Sequence, residues 1–272
     1  MGETMVPANG VDLCLETFGS GDDPAVLLIA GGARSMDWWE DGFCHRLANG
    51  GRFVIRYDHR DTGRSTSFPA GRPPYTQVDM AGDALGVLDA LGIARAHVVG
   101  LALGGGLAQR LAVEDPPRLR TVTLMSTSPG PLDEATVATA PVSRTDCSDR
   151  AAAVDRLVAC VAAVGGPFTA DAAHLRELAG RVFDRTTDPA AACRNHRLAG
   201  CGPPVRDRLG TVDLPTLIMH GTVDPLLSMA HPAALAREIP DARLVPLPGV
   251  GHEFPPRAVW GVVIEEVLRH TA

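Results

Sequence analysis

Short runs of consecutive apolar residues alternate along the chain with stretches whose apolar residues recur every three or four positions. Continuous apolar runs are typical of parallel strands buried on both faces, and the wider spacing is typical of helices that bury one side. The predicted core strands are residues 25–30, 53–57, 97–100, 119–125, 214–220 and 242–247. Residues 11–18 alternate roughly between apolar and polar positions, which predicts an antiparallel strand at the edge of the sheet.

Helices are predicted between these strands. One begins at Thr76, with Asp79 three residues later as a capping box, and ends at Gly92. Its predicted apolar face consists of Val78, Ala81, Leu85, Leu88 and Leu91. The other predicted helices are residues 154–164, 172–183, 229–239 and 257–270. Strands that alternate with helices predict an α/β fold whose mostly parallel sheet is covered on both faces.

The alternation stops between residues 127 and 212, where no convincing strand is found and two of the predicted helices lie. We therefore predict a core domain of residues 1–126 and 213–272, with residues 127–212 inserted as a helical lid, or cap. Open α/β sheets bind ligands at the carboxyl ends of their strands. The lid is expected to cover that edge.

Composition narrows the possible functions. The net charge of −7 provides no field that gathers phosphates, so nucleic acid is not an expected partner. All 25 basic residues are arginine, which excludes a lysine base or a lysine Schiff base. The six cysteines form no Cys-x-x-Cys pair, which favours free thiols. With no signal-peptide pattern and no apolar stretch near ~20 residues, we expect a cytoplasmic protein that does not span a membrane.

The most informative stretch is Gly100-Leu101-Ala102-Leu103-Gly104, which joins a predicted strand to a helical run. Strand, Gly-x-X-x-Gly turn and helix are typical of a nucleophile elbow, which usually presents a serine above the sheet. The middle residue here is Ala102. Glycine-rich turns also bind phosphates, but this spacing is not Gly-x-Gly-x-x-Gly, and a chain without lysine has no Gly-Lys-Ser/Thr ending.

Two further residues follow predicted strands in the order typical of an elbow enzyme. Asp224 comes just after residues 214–220, and His252 comes just after residues 242–247. In such enzymes a carboxylate orients an imidazole, which takes the proton of the nucleophile. Each residue alone is also explained as a turn residue beside a proline. The three positions together favour a catalytic triad.

An oxyanion hole is predicted after the first core strand. The backbone N–H of Gly32 or Ala33, together with that of Leu103, is placed to hold a developing negative charge. The same glycines also suit a simple turn at the end of a strand. Both interpretations are compatible.

Taken together, these motifs resemble those of the α/β-hydrolase family, and most of all those of the aclacinomycin (anthracycline) methylesterases, which tailor polyketides. The segments that carry the resemblance are Ala30-Gly31-Gly32, Tyr57-Asp58-His59-Arg60-Asp61-Thr62-Gly63-Arg64-Ser65, the elbow, His220-Gly221-Thr222-Val223-Asp224 and Gly251-His252. The resemblance covers residues 6–126 and 213–270 and is weak in the lid.

The resemblance implies an eight-stranded fold, no cofactor and ester hydrolysis through an acyl-serine. Carried over by position, Asp224 is the acid, His252 the base, and Gly32 and Leu103 the oxyanion donors. Residues 58–65 would form a structural turn near the oxyanion loop, braced by its arginines, Arg60 and Arg64. Ala102 departs from the family pattern.

Three interpretations of Ala102 stay open. In the first, alanine is a deliberate replacement of the serine of an ester hydrolase and inactivates it. In the second, alanine is natural and His252, held by Asp224, is a general base for cyclisation, elimination or decarboxylation. In the third, the protein only binds a ligand. A strained elbow without a functional side chain favours the first, because glycine would relieve the strain. Weaker candidates for a displaced nucleophile are Ser35, Ser126, Ser128 and Cys44.

The expected ligand is a small hydrophobic ester or polyketide-like molecule. Trp38 and Trp39 follow the oxyanion loop, and with Ala33 and Phe168 they are the predicted substrate-binding residues. Tryptophan pairs also occur in cores, and fold alone does not fix a substrate. No metal is expected, since His252-Glu253 lacks the His-Glu-x-x-His spacing. The oligomeric state is left open.

Overall fold

An eight-stranded sheet forms the centre of the structure, a computed structural model that describes residues 2–130 and 147–272. Its strands are β1 (Thr4–Ala8), β2 (Val11–Phe18), β3 (Ala25–Ile29), β4 (Phe53–Tyr57), β5 (Ala96–Leu101), β6 (Leu119–Met125), β7 (Thr216–Gly221) and β8 (Arg243–Leu247). Their order is β1-β2-β4-β3-β5-β6-β7-β8. β2 pairs antiparallel with β1 and β4, and the remaining neighbours are parallel. The predicted mostly parallel sheet is confirmed.

Helices cover both faces of this sheet. They are α1 (Asp41–Asn49), α2 (Gln77–Ala90), α3 (Leu103–Glu114), α4 (Arg150–Val164), α5 (Ala172–Arg185), α6 (Pro189–Leu198), α7 (Ala230–Glu238) and α8 (Trp260–His270). Short 3-10 helices lie at Met36–Trp38, Pro116–Arg118, Arg206–Thr211 and Arg257–Val259. Side chains of α2, α3 and α7 form one apolar core with the sheet, and those of α1 and α8 form the other.

The continuous apolar runs are explained by this two-sided burial. In β3, Leu27 and Ile29 pack into the core on the α2 and α3 side, and Val26 and Leu28 pack into the opposite core. All four are fully buried. Burying each such side chain contributes about 1.5–3 kcal/mol, which favours apolar residues at successive positions of this strand.

The edge of the sheet differs from the prediction. Residues 11–18 form an antiparallel strand as expected, but β1 pairs outside them and is the edge strand. β1 is five residues long and contains Pro7. Proline within a short run argues against a central strand but is accepted at a sheet edge, where its missing N–H costs no ladder hydrogen bond.

The capping of α2 is confirmed, because Thr76 and Asp79 form the predicted reciprocal capping box. Its predicted apolar face is partly wrong: Val78 is 40% exposed, and the buried positions include Met80, Ala84 and Val87. The buried face is therefore rotated from the one predicted: Met80 and Val87 belong to the apolar core that includes the sheet, and Val78 does not.

Residues 127–212, the helical insertion, lie between β6 and β7 and contain α4, α5 and α6. Both predicted helices are confirmed, and α6 was not predicted. Apolar residues of α4 and α5 form a small core with Trp38, namely Val161, Leu175, Leu178 and Val182. Residues 131–146 of the predicted lid lie outside the described residues. The division of the chain into a core of 1–126 and 213–272 and a lid of 127–212 stays a prediction.

Candidate active site

Ala102 occupies the turn between β5 and α3 in a backbone conformation that alanine rarely adopts. Its φ is 50° and its ψ is −111°. The amide of Ala102 donates to the carbonyl of Met125 at 2.9 Å, and its carbonyl accepts from the Thr127 hydroxyl at 2.9 Å. Such strain costs about 1–3 kcal/mol and persists only where the surroundings enforce it. This is the geometry of the predicted elbow.

The elbow needs glycine on both sides of Ala102. A Cβ at Gly100 would lie 2.2 Å from the Gly104 carbonyl oxygen, and a Cβ at Gly104 would lie 2.3 Å from the carbonyl oxygen of Ile29. Strand β5 and helix α3 can approach this closely only because neither position has a side chain.

We expect Gly104→Ala to lower the free energy of unfolding by about 3 kcal/mol or more, because backbone atoms must move to admit the methyl. Gly106→Ala is the matched control in the same helix, since a Cβ there meets nothing within 4 Å. That variant is expected to gain up to about 1 kcal/mol from helix propensity. Urea unfolding measures both, and equal stabilities for the two variants would contradict this account of the turn.

Asp224 and His252 are brought together as predicted. The Oδ2 atom of Asp224 lies 2.8 Å from Nδ1 of His252, and Oδ1 accepts from the amides of Leu226 and Leu227 at 2.8 Å each. Burial alone would raise the pKa of Asp224, but the hydrogen bonds from His252 and the two amides bring it below its usual range. The carboxylate is thus held ionised behind the imidazole, and Nε2 of His252 is left for chemistry.

A second histidine steadies this loop. Nε2 of His220 lies 2.8 Å from the carbonyl oxygen of Leu227 and 3.5 Å from Oδ2 of Asp224. Burial lowers the pKa of His220. The neutral ring donates to Leu227 and holds the turn whose amides bind Asp224.

The helical insertion holds the loop that carries His252. The His252 amide donates to the carbonyl of Val164 at 2.7 Å, at the end of α4. The carboxylate of Glu253 accepts from the Gly166 amide at 3.0 Å and from the Thr169 hydroxyl at 2.8 Å. These contacts were not predicted, because they join segments from opposite parts of the chain.

The two predicted oxyanion donors lie side by side. A Cβ at Gly32 would lie 3.4 Å from Cδ2 of Leu103, which places the loop after β3 against the first residue of α3. The amide of Ala33 is not available as the alternative donor, because it donates to Nδ1 of His196 at 2.9 Å. Of the two residues suggested by the sequence, the geometry therefore favours Gly32.

Residues 58–65 brace the oxyanion loop. Asp58 Oδ1 accepts from the Met36 amide at 2.8 Å, and Nε2 of His59 lies 3.0 Å from the Ala30 carbonyl oxygen. Arg60 contributes as predicted through a buried ion pair with Asp83. The Arg64 side chain is 57% exposed and pairs with Glu3 at 2.8 Å. Glu3 also binds Arg185, which pairs with Asp58, so Arg64 contacts this network from its exposed side.

Ala102 and His252 lie on the wall of one cavity of about 620 Å³. The predicted residues that line the same cavity are Gly32, Ala33, Trp38, Trp39, Leu103 and Phe168. Trp38 and Trp39 are also buried in apolar clusters, so the pocket and core interpretations both hold. A cavity of this size with mostly apolar walls is typical of a small-molecule site.

The suggested replacement nucleophiles lie elsewhere. Ser35, Ser126, Ser128 and Cys44 all belong to the described part of the chain, and none lines the cavity. The Ser35 hydroxyl donates to Asp37 at 2.7 Å. Burial raises the pKa of Cys44 to about 12, which keeps it a thiol. Of the nucleophile positions suggested by the sequence, the elbow is thus the one that lies on the cavity wall.

Within residues 2–130 and 147–272, no group of three or more His, Cys, Asp or Glu side chains is arranged to hold a metal ion. Over the same residues, no helix combines the length and apolarity needed to cross a membrane.

Two buried histidines make the fold sensitive to acid. Burial lowers the pKa of His59 and of His196 to about 4. An unfolded histidine titrates near 6.5, so the unfolded chain binds more protons than the folded one between about pH 6.5 and pH 4. Stability therefore falls as the pH falls through that window.

Between pH 7 and pH 5 we expect each of these histidines to remove about 2 kcal/mol from the free energy of unfolding. Urea unfolding at several pH values measures the loss. In His196→Gln we expect the loss of unfolding free energy between pH 7 and pH 5 to be smaller by about 2 kcal/mol, the contribution of one histidine. A variant as acid-sensitive as the parent chain would contradict the assignment.

Comparison with known proteins fits this geometry. Residues 24–143 match the family model described as the alpha/beta hydrolase fold. The chain is 34% identical to the rhodomycin D methylesterases DauP of Streptomyces sp. (strain C5) and DnrP of Streptomyces peucetius, over 98% of this chain and 97% of each relative. It is 32% identical to a putative carbamate hydrolase, RutD of Variovorax paradoxus (strain S110), over 87% of this chain and 88% of that protein.

Solved structures share the whole architecture. The enol-lactonase from Burkholderia xenovorans LB400 is 27% identical with a TM-score of 0.79, and the match covers 98% of this chain and 99% of that one. The esterase RhEst1 from Rhodococcus sp. ECU1013 has a TM-score of 0.80 over all of this chain and 98% of that one, and at 21% identity it supports the fold alone. The chain therefore belongs to the α/β-hydrolase family of enzymes and resembles the anthracycline methylesterases within it.

Proposed function

We propose that this protein is a serine-type carboxylic ester hydrolase of aromatic polyketide-like biosynthesis, with Ala102 at the position of its nucleophile. The observation that carries the proposal is the 2.8 Å contact of Asp224 with His252, at an elbow whose residue 102 keeps the strained conformation of a nucleophile. The role of each residue follows from this arrangement.

With serine at position 102, the reaction is acyl transfer through a covalent intermediate. The hydroxyl oxygen attacks the ester carbonyl carbon while His252 takes its proton, and Asp224 stabilises the imidazolium. The carbonyl oxygen becomes an oxyanion held by the amides of Gly32 and Leu103. His252 then protonates the leaving alcohol, which completes the acylation. In the second half of the reaction His252 takes a proton from water as the water attacks the acyl-serine, and it gives that proton to the serine oxygen as the acid leaves.

With alanine at position 102, the acylation step has no nucleophile. A methyl group cannot attack a carbonyl, so the chain as it stands is hydrolytically impaired but keeps its cavity and oxyanion donors. Alanine also keeps the strain of the elbow without the benefit of a hydroxyl. This supports the interpretation that Ala102 replaces a serine in an otherwise intact hydrolase.

The substrate class rests on the relatives and the cavity. Relatives that align over nearly the whole chain are named rhodomycin D methylesterases, and Trp38, Trp39 and Phe254 form an aromatic cluster on the cavity wall. Flat aromatic esters suit such a wall, because aromatic pairs stack or meet edge to face. We therefore propose a hydrophobic, aromatic methyl ester as the substrate.

Ester hydrolysis by Ala102→Ser beside the parent chain tests the proposal, with short aryl esters and a polyketide methyl ester as substrates. Activity in the serine form alone supports it. If neither form hydrolyses any ester, the proposal is wrong.

A second candidate function is favoured by the intact Asp224–His252 pair. Without serine, His252 could take a proton directly from an activated carbon and so catalyse a cyclisation, an elimination or a decarboxylation. The discriminating variant is His252→Ala in the chain as it stands. If this variant still turns over a candidate substrate, His252 is not the base. If every variant binds the ligand but none turns it over, a ligand-binding module is favoured.

A further inference from the structure

Arg34 enters the cavity from the loop after β3, two residues beyond the candidate oxyanion donor Gly32. Its guanidinium carbon lies 4.8 Å from the centre of the Trp38 ring. This cation–π contact fixes the guanidinium beside the aromatic cluster. The five N–H groups of an arginine need acceptors, and a ring face supplies none.

No carboxylate among the described residues neutralises Arg34. The charged or ionisable neighbours that shift its pKa are Cys160, Cys193 and Arg156, and the net effect of burial and of Arg156 is to lower that pKa. Burial raises the pKa of Cys193 to about 12, so this neighbour is an uncharged thiol at neutral pH. Arg34 therefore lacks a counter-ion within the described chain.

A second guanidinium reinforces the positive charge. Arg156, on α4 of the helical insertion, lines the same cavity and places Nη1 2.7 Å from the Cys147 sulfur. Two arginines from different segments thus face one region of a mostly apolar cavity. Two like charges close together beside apolar walls repel each other, and an anion bound between them would offset that repulsion.

The acidic residues of the cavity wall are engaged elsewhere. Glu40 pairs with Arg257 at 2.5 Å, and Asp171 caps α5 by accepting from the His174 amide at 2.9 Å. Glu253 binds the Gly166 and Thr169 groups that hold the His252 loop. Within the described part of the chain the buried arginines have acidic partners, as Arg60 has in Asp83, whereas the half-buried Arg34 has none. The exception at Arg34 therefore points to a charge supplied by a ligand.

We propose that Arg34 is the centre of an anion subsite that binds a carboxylate on an aromatic ligand, at a distance from the reacting carbonyl. A guanidinium matches a carboxylate with two parallel hydrogen bonds, and the adjoining Trp38 ring gives the ligand's aromatic system a surface to pack on. The substrate class is thereby narrowed to aromatic compounds that carry a free carboxylate besides the ester.

The inference rests on the proposed function in one respect, because both assume that this cavity binds the substrate. Its test is a binding experiment without turnover, so it can fail or succeed independently of ester hydrolysis by Ala102→Ser. The probes are anthraquinone-2-carboxylate and its methyl ester, titrated calorimetrically against the chain as it stands. Because this chain lacks the nucleophile, the ester persists through the titration.

The parent chain is expected to bind the carboxylate about 10-fold more tightly than the methyl ester, the size of one charge-assisted hydrogen bond. Arg34→Gln is expected to remove most of this preference while changing the affinity for the ester by less than about 3-fold. Arg257→Gln is the matched control, since Arg257 also lines the cavity but is paired with Glu40, and it is expected to keep the preference.

Equal affinities for the two probes in the parent chain would overturn the proposal. So would a preference that survives Arg34→Gln but disappears in His252→Gln, because the anion would then lie at the catalytic residues. Arg34→Lys keeps the charge and guards against a glutamine variant that does not fold. It is expected to retain part of the preference, and a lysine variant that binds both probes equally contradicts the subsite.

Discussion

Ala102→Ser is expected to raise kcat/KM for a short aryl ester by about 10³-fold or more over the chain as it stands. The reason is that the other groups of the proposed hydrolase site are present. Position 102 has the φ of 50° that aims a side chain from the elbow, and Asp224 already orients His252. We expect a serine there to find its base in His252 and its oxyanion donors in the amides of Gly32 and Leu103.

The matched control is a hydroxyl added elsewhere in the same cavity. Ala192 lies on α6 and lines the cavity, so Ala192→Ser changes its polarity without creating an elbow nucleophile. We expect no gain in hydrolysis from it. The assay follows release of the phenol from an aryl acetate, and covalent labelling by a fluorophosphonate reports the nucleophile itself. A serine variant that is neither labelled nor active would show that the pair at residues 224 and 252 does not serve position 102.

The residues of the candidate site could be located from the sequence because each has a local signature. Gly100 and Gly104 mark the elbow, and Asp224 and His252 each follow a short apolar run. Parallel strands end at the same edge of a sheet, so residues just beyond β5, β7 and β8 must come together there. The pattern of apolar runs along the chain therefore predicts where the candidate site lies without any knowledge of tertiary contacts.

The contacts between the helical insertion and the core could not be predicted in this way. His196 accepts from the Ala33 amide across 163 positions of sequence, and nothing local to either residue indicates it. Helix α6, which carries His196, has few large apolar residues, and its one clear sequence signal is Asp188 followed by Pro189 at its start. Pairings of this kind depend on which helices pack over which loop.

Charge balance is likewise a property of the folded chain. The sequence shows an arginine at position 34 and 32 acidic residues overall, so by number alone acidic partners for it are plentiful. Only the fold shows that Glu40 and Glu253, which line the same cavity, are already bound by other groups. The same applies to Val78, whose apolar character predicts burial until the packing of α2 against the sheet is seen.

In the Ala102→Ser background, Asp224→Asn is expected to lower kcat for an aryl ester by about 10⁴-fold. Asparagine has nearly the same shape and can accept the two amide hydrogen bonds, so the loop is expected to keep its fold. Its uncharged amide cannot stabilise the imidazolium and favours the wrong tautomer of His252. Binding of substrate depends on the cavity, which Asp224 does not line, so KM should change by less than about 3-fold.

Asp241→Asn is the matched control for this loss, because Asp241 is an exposed carboxylate whose positive φ of 53° asparagine also tolerates. It should retain the activity of the serine form. Steady-state kinetics with both variants, together with melting curves, separate a catalytic defect from unfolding. If Asp224→Asn stays folded and loses less than about 10-fold in kcat, the carboxylate does not act through His252. The carboxylate that orients His252 would then have to lie at the end of another strand.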